Sequence, residues 1–308
     1  MTTKRFNNRT ALLTILLAIS AFISAFYQPG TPVQPLEPVQ SHYKTINTLS
    51  GQANSSRTSL DAITFPWNEY SNGALANALM RTYYLSQKQE AKLPTLIKCP
   101  ANSSDQTKAD LKYLLELQNT RTPQDIQRAT EIGKIGYWPD LLNPTEPGYQ
   151  ENINQLYYIA TPVGNWFNPE NFPATTQLLR NTMQDIRVTE FRLKQHFKRP
   201  RPYHLDPAIK PIMRMKTPAF ASGHSLWAFT QAFLFSEIIP EKRADFIKMA
   251  EEVRWSREVL GIHFPTDNEA SRVISWHLLN SWMDNPQFRA DLENARKEWM
   301  TKHKRYSN

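Results

Sequence analysis

Cysteine is almost absent from this chain of 308 residues, in which Cys99 is the only one. A single cysteine excludes an intramolecular disulfide, and its count excludes a zinc site built from cysteine and histidine. No neighbouring histidine or aspartate motif would activate this thiol as a nucleophile, and no spacing of histidines or carboxylates is typical of a metal site. We therefore expect a structural thiol, no metal and no other cofactor.

Glycine is also scarce, with 9 residues against 22 prolines. This balance favours helices joined by stiff loops over a sheet that needs many tight turns. No segment in the second half of the chain alternates between apolar and polar residues as a half-buried strand would. The composition and the pattern together predict an all-α protein.

Long hydrophobic runs are missing except at the N-terminus. Lys4, Arg5 and Arg9 precede a charge-free, mostly apolar stretch, and small residues before Ala21 offer a cleavage site. We interpret residues 1–26 as a cleaved signal peptide, or alternatively as an uncleaved N-terminal anchor, since the run is slightly shorter than the ~20 residues of a spanning helix. No stable membrane insertion of the mature chain is expected.

The remaining chain divides into three parts. Residues 27–40 form a proline-rich linker, residues 41–296 form a single domain, and residues 297–308 form a polar, basic tail that is expected to fray. The formal net charge of +8 includes the basic residues of the N-terminal segment. A field of this size would attract anionic substrates, but it does not by itself indicate a nucleic-acid partner.

Apolar periodicity predicts a helical bundle. Helices are expected over residues 73–92, 105–119, 175–197, 225–237 and 241–260, with further starts at Thr122–Pro123 and Pro265. The 225–237 helix is apolar around most of its circumference, which is typical of a helix at the centre of a protein. Residues 137–173 contain six prolines and are predicted to be an irregular rim or lid. The fold class is therefore a single-domain, all-α bundle around a central apolar helix.

Three polar motifs stand out in the second half. They are Lys194 with Arg201-Pro202, then Ser222-Gly223-His224, then Arg257 with His263 and Asp267. They supply three cations, a turn that can donate backbone N–H groups at a helix start, two imidazoles and a carboxylate. This is the inventory for holding a phosphate and attacking it with histidine.

Each motif alone has a structural alternative. The first could be a basic surface loop, the second a capped helix with a buried histidine, and the third a structural His–Asp pair. Their order and spacing together favour the functional interpretation. Asp267 stands four residues after His263, so it can reach one imidazole nitrogen and direct the other towards phosphorus.

In this order and spacing the motifs resemble the tripartite signature of the type 2 phosphatidic acid phosphatase (PAP2) superfamily. Over residues 176–292 the chain is most similar to bacterial class A non-specific acid phosphatases. Ala221 departs from the proline that usually precedes Ser-Gly-His, which we expect to loosen the turn. Arg192 and Arg199 repeat the spacing of the first motif, but the family begins it with lysine, which favours Lys194.

The resemblance implies a role for each motif residue. The phosphate ligands would be Lys194, Arg201, Arg257, the Ser222 hydroxyl and the Gly223 N–H. His263 would attack phosphorus and Asp267 would orient it. His224 would protonate the leaving alcohol and then activate water, with no metal ion required.

The implied function is a metal-independent acid phosphatase that hydrolyses small phosphomonoesters and is periplasmic or secreted in a bacterium, or held at the membrane by its N-terminal segment. The sequence is compatible with a monomer or a homo-oligomer. A vanadium-dependent haloperoxidase-like enzyme shares this anion site. A lipid phosphate phosphatase shares the motifs but has several spanning helices, and a third alternative is a phosphate-binding protein without catalysis.

Overall fold

The computed structural model describes residues 41–136 and 144–306. The predicted signal segment and proline-rich linker lie outside the described residues. Those that are described fall within one compact unit and contain helices and loops but no strand. None of their helices combines the length and apolarity needed to cross a bilayer.

Twelve α-helices follow one another along the described part of the chain. They are α1 (Ser41–Asn47), α2 (Asn72–Leu79), α3 (Gln87–Lys92), α4 (Asp105–Thr120), α5 (Pro123–Gly133), α6 (Tyr149–Gln155), α7 (Pro173–Phe197), α8 (Pro202–Leu205), α9 (Gly223–Ile238), α10 (Arg243–Val259), α11 (Pro265–Met283) and α12 (Pro286–Tyr306). Short 3-10 segments occupy Ser55–Ala62, Trp67–Glu69, Leu93–Thr95, Tyr158–Val163 and Pro240–Lys242.

Helix α9 lies at the centre of the bundle. It packs against α7, α10, α11 and α12, and nearly all its side chains are buried. A helix surrounded on every side needs apolar residues around its whole circumference, which is what the sequence provides. The predicted all-α bundle around this helix is confirmed.

The predicted helix over residues 73–92 is wrong as a single element. It is divided into α2 and α3 by an extended segment, whose backbone hydrogen-bonds a side chain from another helix. The Asp185 carboxylate of α7 accepts hydrogen bonds from the backbone N–H groups of Tyr83, Tyr84 and Leu85. Ser86 then caps the start of α3. A tertiary contact with a buried carboxylate has therefore overridden local helical preference.

The predicted irregular loop over residues 137–173 is only partly irregular. Residues 137–143 lie outside the described part, but α6 and the turn at Tyr158–Val163 are helical. Tyr157, Phe167 and Phe172 are buried, and the ring of Tyr158 lies 6.0 Å from that of Trp227 in α9. This segment packs onto the bundle and reaches the edge of the site described below.

The C-terminal tail, which was expected to fray, is helical as far as Tyr306 and belongs to α12. Trp299 and Tyr306 both stack on Trp166, with ring centroids 5.7 and 5.2 Å apart. Lys302 Nζ donates to the carbonyl of Asn171. Aromatic stacking on a residue more than 130 positions away in sequence was not visible in the local pattern.

The three motifs meet where four helix ends converge. Lys194 lies in the last turn of α7, and Gly223 opens α9. Arg257 lies in the last turn of α10, after which Gly261 takes a positive φ of 70° and reverses the chain into α11. Glycine suits this position because the left-handed conformation is costly for residues with a side chain.

Candidate active site

His263 and Asp267 form a buried pair at the start of α11. Nδ1 of His263 lies 3.1 Å from Oδ2 of Asp267, and Nε2 lies 2.9 Å from Nη1 of Arg201. A guanidinium can only donate, so Nε2 must accept and Nδ1 must carry the proton. Burial and the nearby Arg201 lower the pKa of His263 well below its usual value, against the opposing effect of Asp267. His263 is therefore neutral, with its lone pair on Nε2.

Asp267 is held ionised by Arg199. Nη1 of Arg199 lies 2.6 Å from Oδ1, while the backbone N–H of Phe264 donates to Oδ2 at 2.9 Å. Although burial opposes ionisation, Arg199 and the hydrogen bond from His263 lower the pKa of Asp267 to about 2. Sequence reasoning gave Arg199 no role, although the repeated Arg-Pro at 199 and 201 was a signal that could have found it.

Arg201 is buried and is oriented by backbone oxygens. Its Nε donates to the carbonyl of Thr217 at 2.8 Å, and its Nη1 donates to the carbonyl of Ile262 at 2.7 Å. Burial lowers its pKa to about 10. The guanidinium thus reaches His263 Nε2 as a cation, and none of the carboxylates in residues 41–136 and 144–306 forms an ion pair with it.

Lys194 is enclosed in the same way. Its Nζ donates to the carbonyls of Pro218 and Ala221, at 2.8 Å each. Burial and the nearby Arg201 lower its pKa to about 7. Ala221, which stands where the family usually has proline, is buried and supplies one of these two acceptors. Arg192 instead bonds the carbonyls of Ala78 and Met80, away from the motif residues.

Arg257 approaches from α10 and lies against the end of α5. Its Nη2 donates to the Ala129 carbonyl at 3.3 Å, and a Cβ at Gly133 would lie 3.1 Å from that nitrogen. Burial and the nearby Arg201 lower its pKa to about 9. Glycine at position 133 therefore leaves room for the guanidinium.

Ser222, Gly223 and His224 form the start of α9. No side chain caps this helix, because the Ser222 hydroxyl donates to Ser225 Oγ at 3.2 Å. The first-turn N–H groups and the positive end of the helix dipole therefore face the site, an arrangement that favours anions.

His224 stands at the boundary between the cations and a cavity. Its Nε2 is shielded and has no hydrogen-bond partner among the described residues, while the backbone of Gly133 hydrogen-bonds the ring. Burial, Arg257 and Arg187 lower its pKa well below the usual value. The cavity beside it has a volume of about 80 Å³ and is lined by the apolar side chains of Met183, Ile186 and Trp227.

Glu190 is a neighbour that sequence reasoning missed. It lies one helical turn before Lys194, with Oε1 3.9 Å from Nζ of that lysine and Oε2 3.2 Å from Nη1 of Arg187. Its position four residues before a motif lysine was the available signal, since residues four apart share one face of a helix.

All eight residues predicted from the motifs are brought together. The site combines three buried cations, an uncapped helix start and two imidazoles, one of them held by a carboxylate. No group of three or more histidine, cysteine or acidic residues suited to a metal ion occurs in residues 41–136 or 144–306. Such a site can stabilise charge on a transferring phosphoryl group and offers a nitrogen nucleophile. It defines a helical protein with an anion site of the phosphoryl-transfer type.

Comparison with known proteins agrees with this class. Residues 176–290 match the family model described as PAP2 superfamily. The match lies over the same part of the chain as the three motifs that predicted this resemblance.

Curated relatives carry the name of one enzyme group. The chain is 26% identical to a non-specific acid phosphatase of Providencia stuartii over 222 residues, which cover 65% of this chain and 89% of the relative. It is 28% identical to a non-specific acid phosphatase of Salmonella typhimurium over 156 residues, which cover 48% of this chain and 61% of the relative. The predicted resemblance to the non-specific acid phosphatases is confirmed.

Proposed function

We propose that this chain is an acid phosphatase that hydrolyses small phosphomonoesters without a metal ion, through a phosphohistidine intermediate. The observation that carries the proposal is the neutral His263. Its Nδ1 is held by an ionised Asp267 and its Nε2 lies at a buried guanidinium. Relatives named non-specific acid phosphatase support the reaction class.

The first half-reaction forms a phosphorus–nitrogen bond. The lone pair on Nε2 of His263 attacks phosphorus while the ester oxygen departs and takes a proton from His224. Arg201, Lys194 and Arg257 stabilise the charge on the phosphoryl oxygens, together with the N–H groups at the start of α9. The Asp267 carboxylate stabilises the positive charge that develops on the imidazole.

The second half-reaction returns the enzyme to its starting state. His224, now neutral, accepts a proton from water as the water oxygen attacks phosphorus, and the phosphorus–nitrogen bond breaks. Phosphate leaves and His263 regains its lone pair. His224 thus acts first as an acid and then as a base, which requires its pKa to lie near the working pH. A bound phosphate dianion would raise this pKa by offsetting Arg257 and Arg187.

Metal independence is proposed because three cationic side chains occupy the place where a metal would neutralise charge. Purified protein dialysed against EDTA is expected to keep its full activity towards p-nitrophenyl phosphate. Loss of activity that Mg²⁺ or Zn²⁺ restores would contradict the proposal. A bromide-oxidation assay with vanadate and peroxide separates it from the haloperoxidase-like alternative.

Localisation is also proposed from the N-terminal segment. A basic start followed by an apolar stretch supports export to the periplasm or medium, or attachment at the membrane. Fractionation of expressing cells with N-terminal sequencing of the product tests this, and an intact N-terminus in the cytoplasm would contradict export.

A further inference from the structure

The Glu190 carboxylate lies directly against the start of α9. An ideal Cβ at Gly223 would lie 2.1 Å from Oε1 of Glu190, far inside van der Waals contact. Any side chain at position 223 would therefore displace this carboxylate, and glycine lets it stay. The carboxylate consequently stands beside the N–H group to which the phosphate site is assigned.

Two cations face this carboxylate from the same helix. Arg187 lies on one side at 3.2 Å and Lys194 on the other at 3.9 Å. The Glu190 side chain is only 10% exposed and that of Arg187 16% exposed, so water screens their charges weakly. Glu190 thus adds one negative charge between the phosphate ligands and the cavity.

The cavity extends from this point on the side of His224. Arg187, Glu190 and His224 line it together with apolar side chains of α7 and α9, and Lys134 lines its other wall. His224 is the proposed proton donor to the leaving alcohol, so the cavity is where that alcohol would lie. The alcohol would therefore lie among the side chains of Arg187, Lys134 and Glu190.

We propose that Glu190 is a specificity-determining residue, whose carboxylate selects against leaving alcohols that carry a negative charge next to the ester oxygen. The inference rests on the proposed phosphatase function. An anionic alcohol would be attracted by Arg187 and Lys134, and Glu190 offsets that attraction. A neutral or cationic alcohol meets no such repulsion.

The test compares matched phosphomonoesters. Glycerol 3-phosphate and 3-phosphoglycerate differ in one group of the leaving alcohol, a hydroxymethyl in the first and a carboxylate in the second. The ratio of their kcat/KM values is expected to favour glycerol 3-phosphate in the wild type and to fall on the order of tenfold in Glu190→Gln. A tenfold change corresponds to about 1.4 kcal/mol, the scale of one weakly screened charge pair. Taking a ratio within each variant removes any general loss of activity.

A second variant is expected to move the ratio in the opposite direction. Arg187→Gln removes a cation from the cavity wall, so the preference for glycerol 3-phosphate should rise several-fold. This variant decides the question if Glu190→Gln does not fold. Phosphoethanolamine, whose alcohol carries a cation, should lose rate relative to glycerol 3-phosphate in Glu190→Gln.

Glu237→Gln is the matched control. Glu237 is also a partly buried carboxylate paired with an arginine, Arg296, at 2.7 Å. It lies near the far end of α9, about 20 Å from Gly223 at 1.5 Å per residue. The ratio of kcat/KM values for glycerol 3-phosphate and 3-phosphoglycerate should be the same in Glu237→Gln as in the wild type. Unchanged ratios in both Glu190→Gln and Arg187→Gln would overturn the inference, whereas a wild type that hydrolyses none of the esters would overturn the proposed function itself.

Discussion

Replacing Arg199 by glutamine is expected to weaken both the fold and the catalytic pair. Nη1 donates to Asp267 at 2.6 Å and to Thr266 at 2.8 Å, and Nη2 donates to Thr107 at 3.0 Å. Nη2 also lies 3.7 Å from Oδ2 of Asp110, but burial raises the pKa of that carboxyl to about 8, so Asp267 is the main partner of Arg199. Breaking a buried pair of this kind costs about 3–5 kcal/mol, because one charge is left without a partner.

The same variant should change the pH dependence in a defined direction. The pKa of Asp267 is about 2 in the fold and ~3.9 unfolded, a difference of roughly 2–3 kcal/mol. This contribution is present above the unfolded pKa and is lost as the pH falls towards the folded one. Because the unfolded chains titrate alike, the stability gap between wild type and Arg199→Gln should be full above the raised pKa of Asp267 in the folded variant, and it should shrink as the pH falls from there towards 2.

Urea denaturation at several pH values measures this gap, and a pH–rate profile reports the catalytic pair. The acid limb of activity should move to higher pH in Arg199→Gln, because Asp267 protonates more easily without its cation. Arg192→Gln is the control, since Arg192 repeats the motif spacing and also pairs with a carboxylate, Glu90, but lies away from the motif residues. A gap below 1 kcal/mol with an unmoved acid limb would refute the reasoning.

Three further predictions address the phosphate site. Arg257→Lys should lose on the order of 10²-fold in kcat/KM, because lysine cannot make a planar two-bond contact, and a rate within threefold of the wild type would place Arg257 outside the site. His224→Ala should accumulate phosphate on His263 with p-nitrophenyl phosphate, whose leaving group needs little protonation; alkaline quenching and mass spectrometry locate it, and phosphate on His224 in His263→Ala would reverse the assignment. The alkaline limb of kcat/KM should lie at lower pH than that of kcat, because the surrounding cations and burial lower the pKa of His224 in the free enzyme and a bound dianion raises it; coincident limbs would count against this.

The sequence was most informative where chemistry and local structure coincide. Helix α9 could be predicted because a central helix must be apolar on every side. The Ser222-Gly223-His224 motif directly precedes this apolar run, so its place at the start of the helix could be predicted as well. His263 and Asp267 could be paired because their spacing is short. The four-helix convergence that unites them with Lys194 is a tertiary fact, and only the resemblance to a known superfamily supplied it in advance.

Other features depend on contacts that no local pattern carries. The break between α2 and α3 results from Asp185, about a hundred residues away in sequence. Arg199 and Glu190 looked like ordinary charged residues of a basic segment and a helix. Their importance comes from burial, since a charge without water nearby influences its neighbours far more than an exposed one.

The way the three cations are held explains how the site stays ready for an anion. Lys194, Arg201 and Arg257 are oriented by backbone carbonyls and by hydroxyls rather than by carboxylates. A carbonyl is a neutral acceptor, so it fixes the direction of a cation without cancelling its charge. Burial lowers the pKa of each of these cations, and no neighbouring carboxylate offsets the effect fully. A bound phosphate group would supply the negative charge that stabilises them. Asp267 does not supply this charge, because Arg199 already compensates it, and Glu190 stands 3.9 Å from Lys194 while sharing its charge with Arg187.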